Sequence, residues 1–225
     1  MPDVAGLALA FGKSFGVVFA VLLPILNPAA TAPIFLGLTE GASAQTRALL
    51  ARRIARNMVL LMTGAMLVGS YVLDVFGISL PIVRIGGGLL VATNAWRLLQ
   101  AEHSSSDSRQ ALADAFTPEH ARRQAFYPLT FPISCGPGSI AAAITVGASL
   151  HEQRLALSLA RFGGGVLALA VIAALLFLAF RYAQRLLQPL GETGTIVFLR
   201  LSAFILLCLG VQIVWDGVSE LLRSL

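Results

Sequence analysis

Charge is scarce in this sequence: 12% of its 225 residues are Asp, Glu, Lys or Arg, where soluble domains carry about 25%. That shortage, with 57% hydrophobic residues and a mean hydropathy of +0.82, excludes a water-soluble enzyme or nucleic-acid module. One core could not hide so much apolar surface. Lysine is nearly missing, Lys13 being the only one among 16 basic residues. Cysteine is limited to Cys135 and Cys208, both in apolar stretches, which excludes a disulfide framework and a cysteine-rich metal site. The three histidines, His103, His120 and His151, are scattered through loops, so neither a metal nor another cofactor is expected. Basic residues are also missing from the first positions (Met1, Pro2, Asp3), so the first apolar stretch does not read as a cleaved signal peptide. The composition is that of a polytopic, all-α membrane protein.

Six apolar stretches can be read along the chain: Leu9–Leu38, Met58–Phe76, Ile78–Leu99, Phe126–Leu150, Leu159–Phe180 and Thr195–Leu222. Each is long enough to cross a bilayer, which takes about 20 residues. The loops after the first, third and fifth hold Arg47, Arg52, Arg53, Arg56, Arg97, Arg109, Arg122, Arg123, Arg181 and Arg185, against Lys13, Arg154, Arg161 and Arg223 on the other side. The arginine-rich side is expected in the cytoplasm, with both termini outside. The formal net charge of +5 then reports orientation, and no nucleic-acid partner is expected.

One membrane domain, 1–225, is expected. A polar segment, 101–124, containing Ser104 to Ser108, reads as a cytoplasmic linker between two three-helix halves, 9–99 and 126–222. An odd number of spans per half would invert the second half relative to the first. Supporting this, the first span of each half is interrupted near its middle, and the third carries one arginine, Arg84 or Arg200.

The first interruption, LLPILNPAATAPIF, holds Pro24, Asn27, Pro28 and Pro33; three prolines in ten residues should not fit one straight helix. Asn27 followed by Pro28 reads as an N-cap and first helical residue. The second, YPLTFPISCGPGSIAAA, holds Pro128, Pro132, Gly136, Pro137 and Gly138, with Gly136 as cap and Pro137 as first residue. A helix restarting within the membrane presents unpaired N–H groups and a positive dipole end, which suit a carboxylate. The candidate substrate-binding residues are therefore Asn27, Pro28, Thr31, Thr130, Ser134, Gly136, Pro137, Gly138 and Ser139.

Arg84 and Arg200 are candidate gate or pathway residues, with snorkelling as the competing reading. Asp74 or Asp216 is the expected partner of Arg84 in a structural role. Asn94 and Gln212 read as hydrogen-bonding glue between helices, and the triple glycines 86–88 and 163–165 as close-packing faces. RALLARRIARN, from Arg47 to Asn57, reads as a helix lying on anionic headgroups ahead of the second span.

These segments resemble the MarC family of bacterial inner-membrane proteins. The resemblance rests on NPAATAPIF after Leu26, FGISLPIVRIGGG (Phe76 to Gly88), YPLTFPISCGPGSIA (Tyr127 to Ala141) and VQIVWDGV (Val211 to Val218). It implies a place among amino-acid exporters related to the lysine exporters, in the bacterial inner membrane. Ser134–Cys135 before the Gly-Pro-Gly depart from the small or apolar residues expected there. The expected function is secondary transport, in the export direction, of a small polar solute such as a neutral amino acid, by alternating access around the two breaks. Drug or metabolite efflux, a passive channel and a transmembrane thiol relay through Cys135 are the alternatives. The expected partners are that solute and the lipid bilayer, with a homo-oligomer left open; no catalytic residue is expected.

Overall fold

The computed structural model describes residues 4–39, 42–100, 125–152 and 154–223. The expected 101–124 linker, with His103 and His120, lies outside the described residues. Within them the chain is helical, with no strand. α1 (Val4–Leu26) and α2 (Pro28–Leu38) are followed by α3 (Ala44–Val75) and α4 (Leu80–Gln100). The second half runs through α5 (Ala125–Ser134), α6 (Pro137–Leu150), α7 (Leu155–Arg181), the short α8 (Ala183–Leu187), a 3-10 turn and α9 (Gly191–Arg223).

Among the described residues, three stretches are long and apolar enough to cross a membrane: Val4–Leu38, Leu155–Arg181 and Thr193–Arg223. The α5–α6 pair, bent by 72°, would be a fourth. This is fewer than the six expected from sequence. α4 falls short because Arg84, Arg97 and three glycines dilute it. The arginines of α3 lie in its first half, and residues 58–75 of the same helix are apolar, with Asp74 as their one charge.

The arginine-rich segment is not a separate surface helix. It is the first half of α3, 32 residues without a break and so about 48 Å long. Leu50, Ile54, Met58, Met62 and Met66 repeat every four residues across the supposed boundary, and all are buried. That stripe carries the helix through two cores. One joins Leu50, Ile54, Phe35, Leu176 and Phe180, where the Phe35 and Phe180 rings stack with centroids 4.4 Å apart. The other joins Met58, Met62 and Met66 to Leu22, Leu26 and Leu169. Arg47 ties the start of α3 to the end of α2, donating from Nε and Nη2 to the Thr39 carbonyl at 3.2 Å.

The two halves interlock. The most extensive packing pairs are α4 with α9, α1 with α7, α3 with α6 and α7, and α4 with α6. Each joins a helix of the first half to one of the second. Glycines make these approaches close. A Cβ on Gly164 would stand 2.2 Å from the Phe11 carbonyl oxygen, one on Gly147 2.2 Å from that of Met66, and one on Gly88 2.7 Å from that of Gly210. Both triple glycines are therefore packing faces, as small residues are where helices meet in membranes. The outer faces of α4 and α9 expose Leu89, Trp96, Val197, Leu201, Val211 and Trp215, the pattern of surfaces that face lipid.

Candidate functional site

Both interruptions break the helix, by different means. Asn27 adopts φ 40, ψ 68, a left-handed conformation that asparagine tolerates better than other side-chain-bearing residues. Its side-chain oxygen accepts from the Ala30 N–H at 3.1 Å, and Pro28 opens the new helix. Pro24 and Pro33 lie inside α1 and α2, so the break is confined to Asn27 and the pair continues as one 35-residue span. Of the three prolines, only Pro28 sits at the break.

The second break is sharper. Tyr127 (φ −119, ψ 124) and Phe131 (φ −117, ψ 127) leave helical geometry within α5. Each precedes a proline, whose ring pushes the preceding residue towards extended backbone. Gly136, at φ −77 and ψ 171, caps α6 without a side-chain hydrogen bond, and Pro137 follows at the first position. Having no N–H, Pro137 leaves Gly138 as the first donor of the helix end.

The two breaks line one cavity of about 400 Å³. Asn27 and Thr31 come from the first, and Ser134, Gly136, Gly138 and Ser139 from the second. Thr31 Oγ1 donates to the Asn27 carbonyl at 3.0 Å and Ser139 Oγ to that of Gly136 at 2.8 Å. Both hydroxyls therefore keep their acceptor capacity. Three candidates stand elsewhere. Thr130 is buried, donating to the Ala125 carbonyl at 2.5 Å and within 3.5 Å of the Asn57 amide. Pro28 lines an apolar groove on another side of α2, and Pro137 does not line the cavity.

The opposing walls add Asn94 and Arg97 of α4 and Ser202 of α9. The Asn94 amide nitrogen lies 3.8 Å from the position a Cβ on Gly136 would take, so Asn94 fronts the cap instead of gluing helices together. Arg97, assigned to a loop by its place at the end of an apolar stretch, is the cavity's only charge among the described residues. The signal that could have found both is their spacing, since Val91, Asn94 and Arg97 fall on one helical stripe. The chemistry available is non-covalent: a guanidinium, two amides, hydroxyls and a helix end, with no acid among the described residues.

Of the two gate candidates, Arg84 lines a second cavity and Arg200 lines neither this one nor that. Arg84 forms an ion pair with Glu220, not with Asp74 or Asp216. The reason is register: Arg84 packs at Gly217, and Glu220 lies almost one turn further along that face. Gln212 is likewise satisfied within α9, donating to Asp216 at 2.8 Å, and does not bridge helices. Cys135 is wholly buried in the main core and absent from the cavity lining, whereas Cys208 is exposed.

No solved structure matches the chain. Among curated proteins, the UPF0056 inner membrane protein MarC of Escherichia coli O1:K1 is 30% identical over 214 residues, covering 94% of this chain and 97% of that protein. Its counterparts in Escherichia coli K12 and Shigella flexneri match with the same identity and coverage. The family model described as MarC family integral membrane protein matches residues 12–222, and the chain belongs to that family.

Proposed function

We propose that this protein is a secondary transporter of a small polar solute, most specifically a neutral amino acid, and not an enzyme. The observation that carries the reading is the convergence of two helix breaks, more than 100 residues apart in sequence, on one polar cavity. A zwitterion would set its carboxylate towards Arg97, Asn94 and the start of α6. Carbonyls left open at the breaks would accept from its ammonium group. With Arg97 as the only charge on its wall among the described residues, the cavity favours a carboxylate-bearing solute over a purely cationic one.

The inverted-repeat reading, with α3 and α4 also crossing, draws support from the packing pairs. The broken pair α1–α2 lies on α7, and the broken pair α5–α6 lies on α3. Exchange of the halves turns one pairing into the other and returns the α3–α7 and α4–α9 contacts to themselves, as a two-fold relation requires. The bacterial inner membrane, with both termini periplasmic, export as the direction and a place in the amino-acid exporter superfamily complete the proposal.

The test is saturable uptake and counterflow in proteoliposomes across a panel of neutral amino acids. Saturable, trans-accelerated flux is expected, falling at least tenfold in Arg97→Gln, since losing a charged hydrogen bond costs about 1.5–3 kcal/mol. No saturable flux for any member of the panel would refute it, and flux without counterflow would make it a channel.

A further inference from the structure

A second cavity, also about 400 Å³, lies beyond the first and is lined by Arg84 and Gly87 of α4, Gly138, Thr145 and Ser149 of α6, and Asp216 of α9. The two cavities share Gly138. Between them α4 packs closely on α6 at two glycines. A Cβ on Gly138 would stand 2.3 Å from Val91 Cγ2, and one on Gly87 2.5 Å from the Ala141 Cβ. Val91 lines the first cavity and Gly87 the second, one turn apart. The partition is therefore about one helical turn deep. It consists of glycine backbone, Ala141 and one branched side chain.

The far cavity differs in charge from the near one. It carries a guanidinium, Arg84, and a carboxylate, Asp216, where the near cavity has Arg97 alone among the described residues. Glu220 already occupies one side of Arg84, and Gln212 one oxygen of Asp216. Each group thus stays in place while retaining capacity for a further partner.

We infer that this second cavity is a further station on the same solute pathway, suited to a zwitterion held between Arg84 and Asp216, and that the Gly87–Val91 and Gly138–Ala141 contact is the partition the solute passes. The inference rests on the transporter reading and deepens it.

The test uses full-length protein in proteoliposomes, carrying Cys208→Ala with either Ser149→Cys or Thr31→Cys, and a membrane-impermeant maleimide. L-alanine, L-leucine and L-threonine are the probes. The two cysteines are expected to label faster from opposite sides. Val91→Ala is expected to abolish that preference, and at least one probe to slow Ser149→Cys labelling while its amide and its N-acetyl derivative do not. Gly138→Ala is expected to abolish counterflow, with Val91→Ala in the same chain restoring it by removing the methyl that the new Cβ would meet. Equal sidedness of the two cysteines, or a preference unchanged by Val91→Ala, overturns the partition. Counterflow without protection of Ser149→Cys overturns the second station and leaves the transporter reading standing. Absence of counterflow for the whole panel overturns that reading, while the sidedness of labelling still decides the partition.

Discussion

Asn27 does two separable things, and three substitutions pull them apart. Its side-chain oxygen caps α2 through Ala30, and its backbone sits at φ 40, where a Cβ is strained. Alanine loses the cap, about 1 kcal/mol. It also forces a residue with no compensating side-chain bond into the left-handed region, about 1–2 kcal/mol. Asn27→Ala should therefore lose roughly 2–3 kcal/mol in all. Asn27→Gly gives up the cap for a few tenths of a kcal/mol and relieves the strain, so it should melt close to the parent. Asn27→Asp keeps a capping oxygen and should hold stability, while placing an anion on the wall of the cavity that is to receive a carboxylate. Thermal melting of detergent-solubilised protein, followed by aggregation-sensitive chromatography, orders the three; counterflow in proteoliposomes measures function separately. The expected order of stability is Asn, Asp and Gly close together and Ala well below, with transport lowest in Asp. Alanine as stable as glycine would refute the strain argument. Full transport in Asn27→Asp would refute the carboxylate placement.

Gly147→Val should lose at least 1–3 kcal/mol by overpacking, because a Cβ there meets the Met66 carbonyl oxygen at 2.2 Å; a melting temperature matching the parent's would contradict that contact. A reporter active only outside the cytoplasm, fused after Leu225, should be active, and a cytoplasmic-only signal would overturn the orientation drawn from the arginine count. Fragments 1–112 and 113–225 should copurify when produced together and be degraded when produced apart, as judged by affinity capture and steady-state abundance.

The sequence made the break positions legible because the caps are local chemistry. Asn-Pro and Gly-Pro specify a helix start within two residues, and both starts fall there. The extent of each break was less legible. Three prolines suggested a long interruption, but α1 and α2 absorb Pro24 and Pro33 within regular helix. Arg97 was hidden by its position, since an arginine at the end of an apolar run usually marks the membrane edge. Only the packing of α4 against α6 and α9 turns it into the cavity. α3 was misread for a related reason. Its arginines suggested a surface helix, while the four-residue repeat of buried side chains through Leu50, Ile54 and Met58 is visible only when the polar and apolar segments are taken together.

The interlocked halves bear on how the molecule comes into being. A ribosome delivers α1 to α4 first, and none of these helices finds its main neighbour among the others. On the proposed six-span reading, the N-terminal half enters the bilayer as helices without partners, including an arginine-laden α3 and a glycine-rich α4 that lipid alone accommodates poorly. Closure waits for the last helix made, because α4 has its most extensive packing against α9. A premature stop codon shortly before α9 should therefore be nearly as damaging as one before α5. In both cases the face of α4 that packs on α9 is left uncovered, and quality-control proteases have that surface to recognise.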